Sequence, residues 1–161
     1  MRTRKLIEII TMTLCVWCTS ACTPTYVSGT KVNYSQERQE VADVIYQYQK
    51  AIESLNLNAL KQLVSDQYYE NGSTTDDPSD DYDYQGLLNI FERDFAQVKA
   101  VKYKIMIKNI DVLKDSAAVD VEYSGQYQFM EKERDRWATA ADKNRITLRR
   151  EEGQWKIVSG L

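Results

Sequence analysis

The spacing of apolar residues changes once along this chain, and that change constrains the fold more than any other feature. Before Lys99, apolar residues recur every three or four positions in three segments, which predicts three amphipathic helices. After Lys99, apolar and polar residues alternate, as in YKIMIKNIDVL and SAAVDVEYSGQYQF, which predicts strands with one buried face. Helices first and strands afterwards indicate an α+β domain, in which a curved antiparallel sheet packs on three N-terminal helices.

The three predicted helices are joined by short polar connections. The first covers about residues 41–55 and the second about residues 57–69, with Asn56 or Asn58 available as the N-cap of the second. The turn-rich segment NGSTTDDPSD follows, and then a third helix with apolar residues at positions 87, 88, 91, 95 and 98. The order of elements therefore places all the helices ahead of the sheet.

The strands are predicted to be joined by tight turns. The first two meet at Lys114–Asp115, and the chain closes with a hairpin built from RITLRR and QWKIVSGL around a turn at residues 151–153. Asp120 and Glu122 alternate out of phase with the apolar residues, so their carboxylates should face solvent. The pattern assigns neither a structure nor a role to the charged segment at residues 130–144.

The N-terminus has the layout of a bacterial export signal. Arg2, Arg4 and Lys5 precede a mostly apolar run, and the small residues Ser20 and Ala21 stand directly before Cys22. This junction resembles a lipobox, which implies that Cys22 is acylated and becomes the mature N-terminus. An ordinary cleaved signal and an uncleaved anchor are the alternatives, although the apolar run is short for a membrane span.

The predicted organisation is a signal peptide at residues 1–21, a lipidated cysteine with a polar tether at 22–38, and one domain at 39–161. Thr23 follows Cys22 in place of the Asp that retains such lipoproteins in the inner membrane. We therefore expect an outer-membrane anchor with the domain facing the periplasm. All three cysteines precede residue 23, so the domain is predicted to fold without disulfides.

Charge and composition exclude some classes of function. The net charge is −3, and it becomes more negative once the basic leader is removed, which argues against binding to nucleic acid. The chain has no histidine, which removes histidine-based acid–base catalysis and ordinary zinc sites. No cofactor is expected.

The stretch DYDYQGLLNIFE has the spacing of an EF-hand calcium loop, with Asp81 at its first position. The preceding Pro78 and its turn residues leave no helix running into that position. Asp81 and Asp83 are explained more simply as carboxylates at the start of the third helix. A looser cation site remains an alternative. Its candidate ligands are Asp76, Asp77, Asp80 and Asp81.

Three stretches resemble the NTF2-like superfamily, which includes SnoaL-type cyclases and ketosteroid isomerases. They are the helix pair VADVIYQYQKAIESLNLNALKQLVSDQYYENG, the helix opening YQGLLNIFERDF and the closing hairpin ITLRREEGQWKIVSGL. The resemblance spans about residues 39–161 and implies a cone-shaped domain around a pocket. It leaves the activity open, because the superfamily holds both enzymes and association domains.

The resemblance also supplies the catalytic candidate. The catalytic carboxylate of the isomerases falls just after the second helix, where this chain has Glu70. A second hypothesis rests on aromatic residues that fall on inward-facing positions and could line a ligand pocket. These candidates are Tyr48, Tyr123, Tyr127 and Trp155.

The sequence thus predicts an exported, lipid-anchored envelope protein whose NTF2-like domain binds a small, partly apolar ligand or an envelope protein without catalysis. The alternative is a small isomerase-like or cyclase-like enzyme that uses Glu70 and a tyrosine. A homodimer formed through the open sheet is a further expectation, since NTF2-like domains commonly dimerise there.

Overall fold

The computed structural model describes residues 25–72 and 78–161. Three α-helices come first in this part of the chain: α1 (Gln36–Glu53), α2 (Leu57–Leu63) and α3 (Tyr84–Gln97). Two short strands, β1 (Tyr69–Glu70) and β2 (Tyr82–Asp83), pair with each other between α2 and α3. Four strands then form an antiparallel meander: β3 (Val98–Leu113), β4 (Ser116–Glu131), β5 (Arg134–Glu151) and β6 (Gln154–Ser159). The predicted α+β architecture is confirmed.

Each helix begins at a side-chain cap that the local sequence provides. Ser35 Oγ accepts a hydrogen bond from the Arg38 amide at 3.2 Å, and Asn56 Oδ1 accepts one from Ala59 at 3.0 Å. Asp83 Oδ1 accepts one from the Gly86 amide at 2.9 Å, so α3 starts at Tyr84, inside the EF-like stretch. A chain that is already helical there cannot wrap a calcium ion, which excludes the EF-hand interpretation.

The predicted second helix is too long by six residues, because tertiary pairing ends α2 at Leu63. Val64 has an extended backbone, and the amide of Ser65 donates to the Ile157 carbonyl at 2.9 Å. Glu70 then pairs with Tyr82 in the small β1–β2 sheet. Apolar spacing alone does not reveal these partners, which lie up to about ninety residues away along the chain.

The charged segment left unassigned from sequence completes the longest hairpin of the sheet. It turns at Lys132 and Glu133, whose φ angles are 47° and 64°, and the two strands pair from Ser116↔Arg149 to Glu131↔Arg134. Residues 134–145 are exposed at every position, so no apolar alternation marks this half of β5 as a strand. Asp120 and Glu122 lie on the outward face, as predicted, and they form ion pairs there with Arg145 and Lys108.

The core lies between α1 and the inward face of the sheet. Its most deeply buried side chains include Ile45, Leu60, Ile110, Leu148 and Ile157. Residues 25–35, which belong to the predicted tether, contribute to this core, since Val27 and Val32 are buried and joined by a main-chain hydrogen bond of 2.9 Å. No helix within residues 25–72 and 78–161 is long and apolar enough to cross a membrane.

Candidate ligand-binding site

A cavity of about 650 Å³ opens between the C-terminal halves of α1 and α3, the start of β3 and the end of β4. Its apolar walls come from these four elements and include Ile52, Phe91, Phe95, Val101 and Phe129. The volume lies within the range of pockets that hold small organic molecules, and a mostly apolar wall with a few polar groups is typical of such sites. The cone is therefore open, not filled by its own side chains.

Two buried tyrosines supply polar groups on one wall of the cavity. Tyr48 comes from the buried face of α1 and Tyr103 from β3, and their rings meet edge to face with centroids 6.2 Å apart. Burial raises the pKa of both phenols, and the neighbouring Tyr103 hydroxyl raises the pKa of Tyr48 further. The hydrogen bond with Tyr48 lowers the pKa of Tyr103 slightly, as expected if Tyr48 donates and Tyr103 accepts, which leaves the Tyr103 proton available to a ligand.

A third phenol, that of Tyr127, reaches the cavity because a glycine precedes it on the same face of β4. The ring of Tyr127 lies across buried Gly125, where a Cβ atom would overlap the hydroxyl and two ring carbons. Burial raises the pKa of Tyr127 as well, and nearby Tyr123 adds to the effect. A small residue followed by a large one on the same face of β4 therefore leaves room for a third hydrogen-bonding group.

One acidic side chain, that of Asp94, is found among the described residues that line the cavity. Its side chain is 51% exposed and forms an ion pair with Arg93 at 2.9 Å. Asp94 is thus solvent-accessible and ion-paired, and the described cavity wall combines hydrogen-bonding phenols with this one exposed carboxylate.

Glu70, the candidate catalytic residue, lies in β1 and is not among the residues that line the cavity. Its Oε2 accepts hydrogen bonds from the Tyr68 hydroxyl at 2.9 Å and from the Gly160 amide at 2.5 Å. Tyr82 donates to the main-chain oxygen of Leu161 at 2.6 Å in the same cluster. Residues 160 and 161 thus join this carboxylate to the end of the sheet.

Tyr68 is the buried phenol of the Glu70 cluster. Burial raises the pKa of Tyr68, the Leu161 amide that donates to its hydroxyl at 3.0 Å partly opposes this shift, and the hydrogen bond to Glu70 raises the pKa further. Tyr68 also adds to the raised pKa of Tyr48. Glu70 itself is held by Tyr68 and Gly160, and it is not among the residues that line the cavity.

The four aromatic candidates separate into two groups. Tyr48 and Tyr127 line the cavity, whereas Tyr123 packs beside Tyr103 at a centroid distance of 5.7 Å and is not among the lining residues. Trp155 lies against α1 elsewhere in the core, with the Arg150 guanidinium 4.7 Å above its ring. Its buried indole nitrogen has no hydrogen-bond partner among the described residues.

Tyr103 is the lining tyrosine that the predicted site did not include. Its position in the alternation of β3 marked it as inward-facing, but the same signal marks ordinary core residues. Only the packing of α1 and α3 distinguishes Tyr103, at the cavity, from Ile105 and Ile107 in the solid core.

The four acidic metal candidates do not form a described site. Asp76 and Asp77 lie outside the described residues. Asp81 uses both carboxylate oxygens within the protein, accepting from the Tyr69 hydroxyl and from the Gly72 amide, the latter at 3.0 Å. Within residues 25–72 and 78–161, no three acidic, cysteine or histidine side chains converge as metal ligands.

Three helices against a curved antiparallel sheet, with a cavity between them, define the cone fold of the NTF2-like class. A family model for the SnoaL-like domain matches residues 41–160, and the chain belongs to that family. A search of curated proteins finds no match.

Several solved structures have the same fold at low sequence identity. A conserved protein from Planctomyces limnophilus is 13% identical, with a TM-score of 0.67 over 77% of this chain and 92% of that one. An NTF2-like superfamily protein from Salmonella enterica is 14% identical, with a TM-score of 0.62 over 76% and 87%. A ketosteroid isomerase-like protein from Erwinia carotovora is 18% identical, with a TM-score of 0.60 over 79% and 95%. At these identities the similarity establishes the fold alone.

Proposed function

We propose that this domain binds a small, mostly apolar molecule in the cavity through the phenols of Tyr48, Tyr103 and Tyr127, without chemical conversion. The observation that carries the proposal is the composition of the cavity wall. Neutral phenols can orient a hydroxyl or carbonyl group of a ligand, and the apolar side chains around them favour its hydrocarbon part. The one acidic side chain on the described wall, that of Asp94, is half-exposed and ion-paired with Arg93.

Anchoring at the envelope is the second part of the proposal, and its support comes from sequence alone. The basic start, the apolar run and the Ser20-Ala21-Cys22 junction favour acylation at Cys22. The intact mass of the protein isolated from bacterial membranes tests this. Acyl chains on wild type that are lost in Cys22→Ala, together with release from the membrane, are expected. An unmodified chain cleaved elsewhere would contradict it.

An enzyme of the isomerase or cyclase kind is the alternative, and one observation favours it. Glu70 and Tyr68 are hydrogen-bonded at 2.9 Å, and a carboxylate next to a phenol is a pair that can move a proton. The related Erwinia protein is described as ketosteroid isomerase-like. Against this, Glu70 also accepts the Gly160 amide and stands outside the cavity wall, so a substrate in the cavity would not reach it directly.

Binding of 2-naphthol, a fluorescent aromatic molecule with one hydroxyl, tests the site. We expect saturable binding to the wild-type chain that is about tenfold weaker in Tyr127→Phe, because a hydrogen bond from a buried phenol contributes about 1–1.5 kcal/mol. Val101→Trp, which fills the cavity, should abolish binding. Tyr26→Phe is the matched control, since Tyr26 is 52% exposed and lies outside the cavity.

Glu70→Gln separates the two functions when turnover is measured beside 2-naphthol binding. The amide keeps an oxygen that accepts hydrogen bonds but cannot act as a base. A binding domain should keep its affinity for 2-naphthol in this variant. Loss of turnover of a ketone or dehydration substrate in Glu70→Gln, with 2-naphthol binding intact, would instead favour the enzyme. Equal 2-naphthol binding by wild type and Val101→Trp would contradict the binding proposal.

A further inference from the structure

The first half of β5 is a long strand with a neighbour on one side only. Over residues 134–143 it pairs with β4, whereas β6 joins β5 only from Thr147 to Glu151. Every residue from 134 to 145 is exposed, and Trp137 is 51% exposed. A sheet edge of this length presents unpaired main-chain groups that another strand can bind.

The opposite edge of the same sheet is covered, which makes the open β5 edge distinctive. On β3, the amide of Ile105 donates to Gln49 Oε1 at 2.9 Å and the amide of Tyr103 donates to Glu53 Oε1 at 3.3 Å. Side chains of α1 thus satisfy two main-chain amides on that edge. No helix contacts residues 134–143 in a comparable way within the described part of the chain.

The sequence of the open edge is complementary to itself in antiparallel orientation. If two copies pair about a two-fold axis at Thr139, Asp135 of one faces Lys143 of the other, and Arg136 faces Asp142. The symmetry makes each pair occur twice, and no like charges stand opposite each other between residues 134 and 144. Opposite charges directly across an antiparallel pair stabilise it, whereas like charges destabilise it.

The uncharged centre of the strand fits the same register. Trp137 faces Ala141 of the other copy, so the indole ring gains room beside a small side chain. Ala138 faces Ala140, and these residues let the backbones approach without a clash. Charges on an edge strand usually prevent such pairing. Here their order places opposite charges across from each other in this register.

The direction of the main-chain groups also permits the pairing. The amides of Lys143 and Arg145 donate to the side chains of the residues before them, at 2.8 Å each, and not to β4. Odd-numbered residues therefore direct their N–H groups toward the open edge. Thr139 would then exchange two hydrogen bonds with its counterpart, at a Cα–Cα distance of about 5.5 Å.

We propose that two copies of this chain associate through the β5 edge, with Thr139 on the two-fold axis, to form a continuous eight-stranded antiparallel sheet. This interface is separate from the cavity, so the dimer proposal does not depend on the proposal of ligand binding. The relevant partner is a second copy, because the complementarity lies within one strand.

Disulfide cross-linking in membranes that contain the full chain tests the register. Thr139→Cys should form a covalent dimer on mild oxidation, because a separation of about 5.5 Å is compatible with a disulfide. Ala141→Cys is the matched control on the same face, since its two copies would be about 13 Å apart along the strands. The chain without the substitution gives the background, because its cysteines all precede residue 23. Equal cross-linking at 139 and 141, or none above background, would overturn the proposal.

Charge exchange tests the same interface without cysteines. Arg136→Asp should weaken the dimer of the full chain in detergent about tenfold, as measured by sedimentation equilibrium, since two exposed ion pairs become repulsive. Asp142→Arg should do the same, and the double variant should restore association to near the wild-type value. A double variant no tighter than either single variant would contradict the predicted pairing of Arg136 with Asp142.

Discussion

Ser65 shows how much one side chain contributes where α2 ends. It is 2% exposed, and its hydroxyl donates to Glu151 Oε1 at 2.8 Å while accepting from the Gln67 amide at 3.0 Å. This hydroxyl therefore ties the end of α2 to β5, 86 residues further along the chain. The sequence around Ser65 contains no sign of Glu151 as its partner.

Ser65→Ala should lower the free energy of unfolding by about 1–2 kcal/mol, because it leaves a main-chain donor and a carboxylate oxygen without their partner. Urea unfolding followed by circular dichroism measures the change. Ser116→Ala is the matched control, since its hydroxyl donates to the Leu113 carbonyl at 3.0 Å on the exposed surface, and it should change stability by less than about 0.5 kcal/mol. Equal losses in both variants would contradict the role assigned to Ser65.

Other single residues were readable from the sequence because their partners are close along the chain. Asn56 and Asp83 cap helices by accepting from amides three residues later. The sequence had offered Asn56 or Asn58 for one helix, and Asp81 and Asp83 for the other. The partners of Glu70 could not be predicted, because Gly160 lies 90 residues away. Local hydrogen bonds follow from composition and spacing, whereas distant ones depend on how the elements pack.

At the scale of elements, α1 both buries an apolar face and completes the edge of the sheet. Gln49 and Glu53 stand one turn apart and follow the same side of the helix, so they meet successive free amides of β3 at Tyr103 and Ile105. This contact holds the wall of the cavity to which Tyr48 and Tyr103 belong.

Gln49→Ala should cost about 1 kcal/mol of stability, because the amide of buried Ile105 loses its acceptor. Gln47→Ala, at an exposed position of the same helix, is the control and includes the same gain in helix propensity. Hydrogen exchange offers a direct check, since the Ile105 amide should lose protection selectively. Unchanged protection at Ile105 in Gln49→Ala would be incompatible with this contact.

The elements themselves were predicted with uneven success, for physical reasons. The strands β3 and β6 and the helices α1 and α3 carry clear periodicity because each has one buried face. The end of α2 and the first half of β5 lack that signal. Pairing with β6 ends α2 early, and the first half of β5 is exposed at all its positions.

At the scale of the whole molecule, buried phenols make the fold sensitive to alkaline pH. Burial raises the pKa of Tyr48, Tyr68 and Tyr103 in the folded state above the value of about 10 for an unfolded chain. Below pH 10 these tyrosines are protonated in both states, so their contribution to stability is complete. As the pH rises above 10, the unfolded chain releases protons that the folded chain retains, and stability falls.

We therefore expect the free energy of unfolding to decrease above pH 10. Tyr48→Phe should reduce the slope of this decrease by at most about 1.4 kcal/mol per pH unit, the limit for one titrating group. Urea unfolding at a series of pH values measures it, with Tyr26→Phe as the control because that side chain is 52% exposed. A slope that is the same in wild type and Tyr48→Phe would show that Tyr48 is not protected in the folded protein.

The sequence by itself determined the class of the fold, the order of helices and strands, the candidate caps of two helices and the inward positions of Tyr48 and Tyr127. These features are encoded by neighbours within a few residues, through periodicity and capping. Only the tertiary structure decided which inward tyrosines meet a cavity, what holds Glu70 and which edge of the sheet stays open. Each of those depends on contacts between segments far apart in the chain, and packing, not local pattern, selects them.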